Sequence, residues 1–98
     1  MKLVDVQKRN DAELAAIKRK VSAAVKKAGC NTGEIRWWNT GAMFHVEVDN
    51  DGKLGDYISD VIRKSAHARL QSVDEYEGIY DWSSDTYIRP VTIVSFAF

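Results

Sequence analysis

Two adjacent tryptophans, Trp37 and Trp38, restrict how the segment EIRWWNTGAMFHVEV (residues 34–48) can fold. Apolar and polar residues alternate on both sides of Asn-Thr-Gly-Ala, which is typical of two strands joined by a tight turn. Successive side chains of a strand point to opposite faces, so the two indole rings cannot enter the same core. One tryptophan is therefore expected inside the protein and the other on the opposite face of the hairpin.

The hydrophobic pattern also predicts the register of this hairpin, with a four-residue turn that contains glycine. The predicted pairs are Trp38–Met43, Trp37–Phe44 and Ile35–Val46. Trp37 is then the core tryptophan, because its partner and its same-face neighbours are apolar. The other face is predicted to carry Glu34, Arg36, Trp38, Met43, His45 and Glu47.

The first helix is predicted over residues 11–28, because apolar side chains recur there at intervals of three and four. Asn10 can cap its first turn, and Gly29 fits the left-handed residue that ends it. Its apolar stripe consists of Leu14, Ile17, Val21, Ala24, Val25 and Ala28. Residues 2–7 alternate and predict a short strand; the alternative is that residues 3–9 extend the helix.

The second half of the sequence predicts another helix and two strands. The helix is expected over residues 54–70, and strands over residues 77–82 and 86–98. Pro90 splits the last strand, because proline cannot donate to a ladder. The C-terminal VTIVSFAF is apolar on both faces, which predicts a central strand.

These elements predict a single α+β domain over residues 1–98. Two helices would pack on a four- to five-stranded, mostly antiparallel sheet in the order β-α-β-β-α-β-β. This order favours a ferredoxin-like arrangement, which hosts too many functions to indicate one.

Composition narrows the class of protein. The chain is 45% hydrophobic with 14 basic and 14 acidic residues, which is typical of a globular protein. It has no apolar run long enough to span a bilayer, and its N-terminus is charged where a signal peptide would be apolar. The one cysteine, Cys30, cannot form an internal disulfide. We expect a cytoplasmic protein that does not associate with a membrane.

The most informative segment lies between Leu70 and Ile88, where there are acidic residues but no lysine or arginine. Tyrosine and tryptophan anchor protein interfaces, and charges at the rim steer an oppositely charged partner. The predicted protein-binding residues are Asp74, Glu75, Tyr76, Glu77, Tyr80, Asp81, Trp82, Asp85 and Tyr87. The alternative is a solvated hairpin without a binding role, whose aromatic side chains pack inward.

A nucleic-acid site is the second interpretation. Arg36, Trp38, Met43 and His45 would form an aromatic and basic sheet face able to stack bases, although the RNP1 pattern is missing. The first helix also carries basic residues that would bind phosphates: Lys18, Arg19, Lys20, Lys26 and Lys27. Most of them have no acidic residue within four positions. Such a run is more often a solvated helix face.

Catalytic and metal motifs are weak. His45 and His67 are the only histidines, and no spacing places them together, so a nuclease or hydrolase is the third interpretation. The Asp49-Asn50-Asp51-Gly52 run does not fit a calcium loop, and Asp81 with Asp85 lacks a third ligand. We therefore predict no catalytic residue, no metal and no cofactor.

The leading hypothesis is a non-enzymatic protein-binding module that docks on a basic, nucleic-acid-handling partner through residues 74–87. It would act as an inhibitor or accessory factor, a role common among compact phage and mobile-element proteins without catalytic motifs. A homodimer is a further possibility, because Trp38 could be covered by a second copy of the protein; the alternative is that the C-terminal strand or a loop of the same chain covers it.

Overall fold

The computed structural model describes residues 2–27, 35–49 and 54–98. Within them are two helices, α1 (Leu3–Lys27) and α2 (Leu54–Lys64). The strands are β1 (Arg36–Thr40), β2 (Met43–Asp49), β3 (Arg69–Tyr76), β4 (Ile79–Asp81), β5 (Thr86–Ile88) and β6 (Val91–Ala97). The α+β class is confirmed. Cys30 and Glu34 lie outside the described residues.

Helix α1 begins earlier than the main prediction. The strand predicted over residues 2–7 is wrong, and the alternative in which residues 3–9 extend the helix is confirmed. The first turn is closed by the amides of Asp5 and Val6, which donate to the carbonyl of Lys2. Asn10 consequently lies inside the helix, where its side chain accepts from Arg9 at 3.3 Å instead of capping a terminus. The predicted end of the helix lies outside the described residues.

Four strands form an antiparallel sheet in the order β1-β2-β6-β3. The prediction of a central strand at the C-terminus is confirmed, because β6 pairs with β2 on one side and β3 on the other. The predicted order β-α-β-β-α-β-β is wrong. The described elements follow the order α-β-β-α-β-β-β-β, in which α1 comes before every strand. The ferredoxin-like arrangement is not confirmed.

Helix α2 ends at Lys64 and not at Leu70 as predicted. Residues 65–67 bend, and Arg69–Tyr76 becomes β3, an edge strand along β6. The sequence of this stretch has ordinary helix propensity. Pairing with the central strand outweighs that local preference, because tertiary packing decides between structures of similar intrinsic stability.

The core lies between the two helices and one face of the sheet. Phe96, on β6, is fully buried and stacks on Phe44 with ring centroids 5.7 Å apart. Trp37 meets the same ring edge-on at 6.5 Å, so the prediction that Trp37 faces the core is confirmed. The other buried apolar residues are Ile17, Val21, Val25, Val46, Val48, Leu54, Ile58, Ile62, Ala68 and Val94.

The predicted register of the first hairpin is wrong by two residues. The observed pairs are Trp37–Val46, Trp38–His45 and Thr40–Met43. The turn therefore contains only Gly41 and Ala42, and Gly41 adopts a φ of 60°. Two-residue turns of this kind match the twist of the flanking strands. A displacement by two leaves every side chain on its predicted face.

Strands β3 to β6 belong to one long hairpin. Tyr76 pairs with Val91 and Ile79 pairs with Ile88, so the register is continuous across the interruption between them. Beyond the sheet the hairpin continues as residues 77–90, which we call the arm. The molecule measures 55 × 29 × 20 Å, and its radius of gyration is 15.0 Å, against about 12.6 Å expected for a compact chain of this length.

Because the arm lies outside the packed sheet and helices, which we call the body, shortening a side chain should destabilise the protein less in the arm than in the body. Phe96→Ala should lower the free energy of unfolding by about 3–5 kcal/mol, because it leaves a cavity in the core. Ile88→Ala, in the arm, should change it by less than about 0.5 kcal/mol. Urea unfolding followed by circular dichroism measures both. Equal losses in the two variants would show that the arm is packed on the body.

Candidate protein-binding arm

The arm, residues 77–90, contains β4, β5 and the turn between them at residues 82–85. Its two strands pair with each other and with no other strand in the described parts of the chain. At its base, Pro90 interrupts the ladder and Arg89 lies 3.5 Å from Asp49 of β2. Gly78 sits under the ring of Tyr87, where a Cβ atom would clash with the phenol. These features allow the hairpin to leave the sheet while remaining attached to it.

The arm presents apolar side chains on both faces. Tyr80 pairs with Tyr87 on one face, and Ile79 pairs with Ile88 on the other. The isoleucines are 61% and 56% exposed. At the tip, Trp82 is 87% exposed, and its ring lies 4.6 Å from that of Tyr80. A two-stranded ribbon with these residues in water has no core of its own, and such surfaces commonly mark interaction sites.

Asp81 combines a structural role with a charge. Its Oδ1 accepts the Ser83 amide at 3.0 Å and the Ser83 hydroxyl at 2.6 Å. The Ser83 hydroxyl is the largest cause that lowers the pKa of the Asp81 carboxyl, with Ser84 next. Hydrogen bonds favour the ionised form, so the tip carries this negative charge at neutral pH. Asp85 closes the turn in the left-handed region, with φ 51°.

The predicted protein-binding residues fall in two adjoining places. Asp74, Glu75 and Tyr76 lie at the end of β3, where all three are exposed. The remaining six lie in the arm: Glu77, Tyr80, Asp81, Trp82, Asp85 and Tyr87. Sequence reasoning missed Ile79 and Ile88, although their place opposite the tyrosines follows from strand alternation. Their exposure follows from the projection of the arm, which leaves both faces of its two strands outside the core.

The second predicted site is divided between two layers. Arg36, Trp38, Met43 and His45 lie on the face of the sheet opposite the helices. The basic residues Lys18, Arg19, Lys20, Lys26 and Lys27 lie on α1. Lys18 approaches the hairpin: its Nζ lies 5.3 Å from the ring of Trp37, the core tryptophan, and it lines a small pocket that Trp38 also lines. The face of the sheet opposite the helices, which we call the open face, also carries Glu47. The Glu47 carboxylate lies 3.6 Å from the Arg36 guanidinium.

His45 holds three strands together on the open face. Its two ring nitrogens lie 2.7 Å from the hydroxyls of Thr40 on β1 and Ser95 on β6. Trp38 stacks on the imidazole at 5.2 Å. His67 instead contacts Glu13 of α1, whose Oε1 accepts the His67 amide at 2.9 Å. The two histidines thus have separate partners and share no site.

Within residues 2–27, 35–49 and 54–98, no three His, Cys, Asp or Glu residues lie close enough together to hold a metal ion. Neither α1 nor α2, the helices of the described residues, has the length and apolar character to cross a membrane. No family model, curated protein or solved structure matches this protein. The fold and the site define an α+β domain with a protruding two-stranded arm.

The hydrogen bonds from Ser83 and Ser84 to the Asp81 carboxyl predict how its titration responds to the loss of one hydroxyl. Because the folded-state pKa of Asp81 is lowered, its hydrogen bonds stabilise the turn above the ordinary carboxyl pKa and are lost as pH falls through the lowered value. Ser83→Ala should therefore raise the pKa of Asp81, measured by NMR on the carboxyl carbon. Ser72→Ala, which removes a hydroxyl bonded to Asp74, should leave it unchanged. If Asp81 has the same pKa in both variants, the Ser83 hydroxyl does not stabilise its carboxylate.

Proposed function

We propose that this protein is a binding module that docks its arm on a partner protein with a basic surface. The observation that carries the proposal is the arm itself, which projects from the sheet with tyrosine and tryptophan on one face and isoleucine on the other. The proposal needs no chemistry at the site, only a surface that the partner covers.

The apolar side chains would supply most of the affinity. Complete burial of a large apolar side chain is worth about 1.5–3 kcal/mol, and a few such anchors dominate a typical interface. Trp82 is the expected main anchor, because it is the most exposed aromatic residue described and stands at the tip. The arm is already formed by its ladder, so less conformational entropy is lost on binding than for a disordered segment.

The charges would select the partner. Between Leu70 and Ile88 there are five acidic residues and no basic one, so the surface around the anchors is negative. Carboxylates on a projecting ribbon complement the cationic grooves with which proteins hold nucleic-acid phosphates. Such complementarity raises the rate of association and decreases with salt. A basic, nucleic-acid-handling protein is therefore the proposed partner, and blocking its groove is the proposed effect.

Site-specific crosslinking tests the proposal. A photoreactive amino acid at position 82 should capture one main partner from the source cells, and the same probe at Leu3 should not. Leu3 is a matched control, because it is 83% exposed at the start of α1. With the purified partner, Trp82→Ala should weaken binding by about tenfold or more, whereas Leu3→Ala should change it less than about twofold.

Competition identifies the kind of surface that the arm occupies. Nucleic acid should displace the protein from its purified partner, because both occupy the same cationic groove. The proposal fails if Trp82→Ala binds as tightly as the original protein. It also fails if single-stranded DNA or RNA binds directly to the free protein and quenches Trp38 fluorescence, with no partner protein needed.

A further inference from the structure

A second surface on the molecule complements the arm. A shallow recess lies between the two helices, lined by Ala23, Ala24 and Lys27 of α1 and by Tyr57 of α2. Its lining is mostly apolar, and Tyr57 is 54% exposed at its edge. Alanines in adjacent positions leave room for a large side chain from outside.

Lys27 lines this recess, and a second lysine lies on the same side of α1. Lys20 precedes Ala23 by one helical turn and Lys27 follows it by one turn, so both share its side of α1. From residue 14 to residue 33 the sequence has no acidic residue. On α2, Asp56 and Asp60 are the nearest acids in sequence to Tyr57, and Asp60 already lies 3.8 Å from Arg63. The α1 side of the recess is therefore positive.

We infer that, when no other partner is present, the arm of one copy docks in this recess of a second copy. Trp82 enters between Ala23 and Tyr57, while Asp85 meets Lys27. This inference rests on the proposed function of the arm as a binding element. It adds a state in which a second copy of the protein covers the arm until a partner is bound. Because each copy has one arm and one recess, a two-fold pair uses both and forms a closed dimer.

Another apolar groove is less suited to the acidic arm. It lies between the first half of α1 and the rings of Phe44 and Phe98. Asp11 lines this groove, so its carboxylate would face the negative arm. Like charges brought together at an interface disfavour the complex. Charge complementarity therefore favours the recess between the helices over this groove.

Charge reversal tests the self-docking on the purified protein alone. Sedimentation velocity should show a concentration-dependent dimer that weakens as salt rises from about 0.05 M to about 0.5 M. Lys27→Glu should weaken it by about tenfold, and adding Asp85→Lys to that variant should restore most of the loss. Asp85→Asn, which keeps a residue tolerant of the left-handed turn, should weaken it less than Lys27→Glu does. Asp11→Lys is the matched control and should leave the dimer unchanged.

The outcomes separate the self-docking from the proposed function. Lys27→Glu leaves the arm intact, so it should lose the dimer while still binding the basic partner. A monomer at every concentration overturns the self-docking, as does a dimer that is indifferent to Lys27→Glu or that the double variant fails to restore. Neither result affects capture of the partner through position 82, which tests the function separately.

Discussion

Strand β6 pairs with β2 on one side and β3 on the other, and it carries Val94 and Phe96 into the core under both helices. Removing this strand would leave a hairpin and an isolated edge strand, neither of which can bury a helix face. The arm depends on the same strand, because β5 continues into β6 through Arg89 and Pro90. The stable body thus fixes the position of an extension that could not fold alone.

The exposure of the arm is a consequence of how little surface a chain of 98 residues can cover. Both helices of the described residues pack on one face of the sheet, and neither packs on β4 or β5. A ribbon of two strands has two faces, and both faces of the arm carry exposed apolar residues. This is why the distribution of Ile79, Ile88 and Trp82 indicates binding more strongly than any of these residues does by itself.

Some of these features are visible in the sequence because local patterns determine them. Strand alternation predicts the core position of Trp37, apolar residues on both faces predict the central position of β6, and the missing amide of Pro90 predicts the split in the last strand. Features that depend on competition between structures are not. Residues 3–7 belong to α1 instead of a strand. Residues 69–70 belong to β3 instead of α2, because β3 pairs with β6, a partner distant in sequence. The acidic aromatic residues were identified as a segment, but their place on a projecting arm required the pairing of β3 with β6.

Hydrogen exchange followed by mass spectrometry tests most directly whether the arm is an uncovered element that a second protein covers. In dilute protein, peptides covering residues 77–90 should exchange much faster than those covering β6. At concentrations where the protein self-associates, or with the captured partner, the same peptides should become protected. Slow exchange of the arm in the dilute monomer, or no added protection in any complex, would contradict the account.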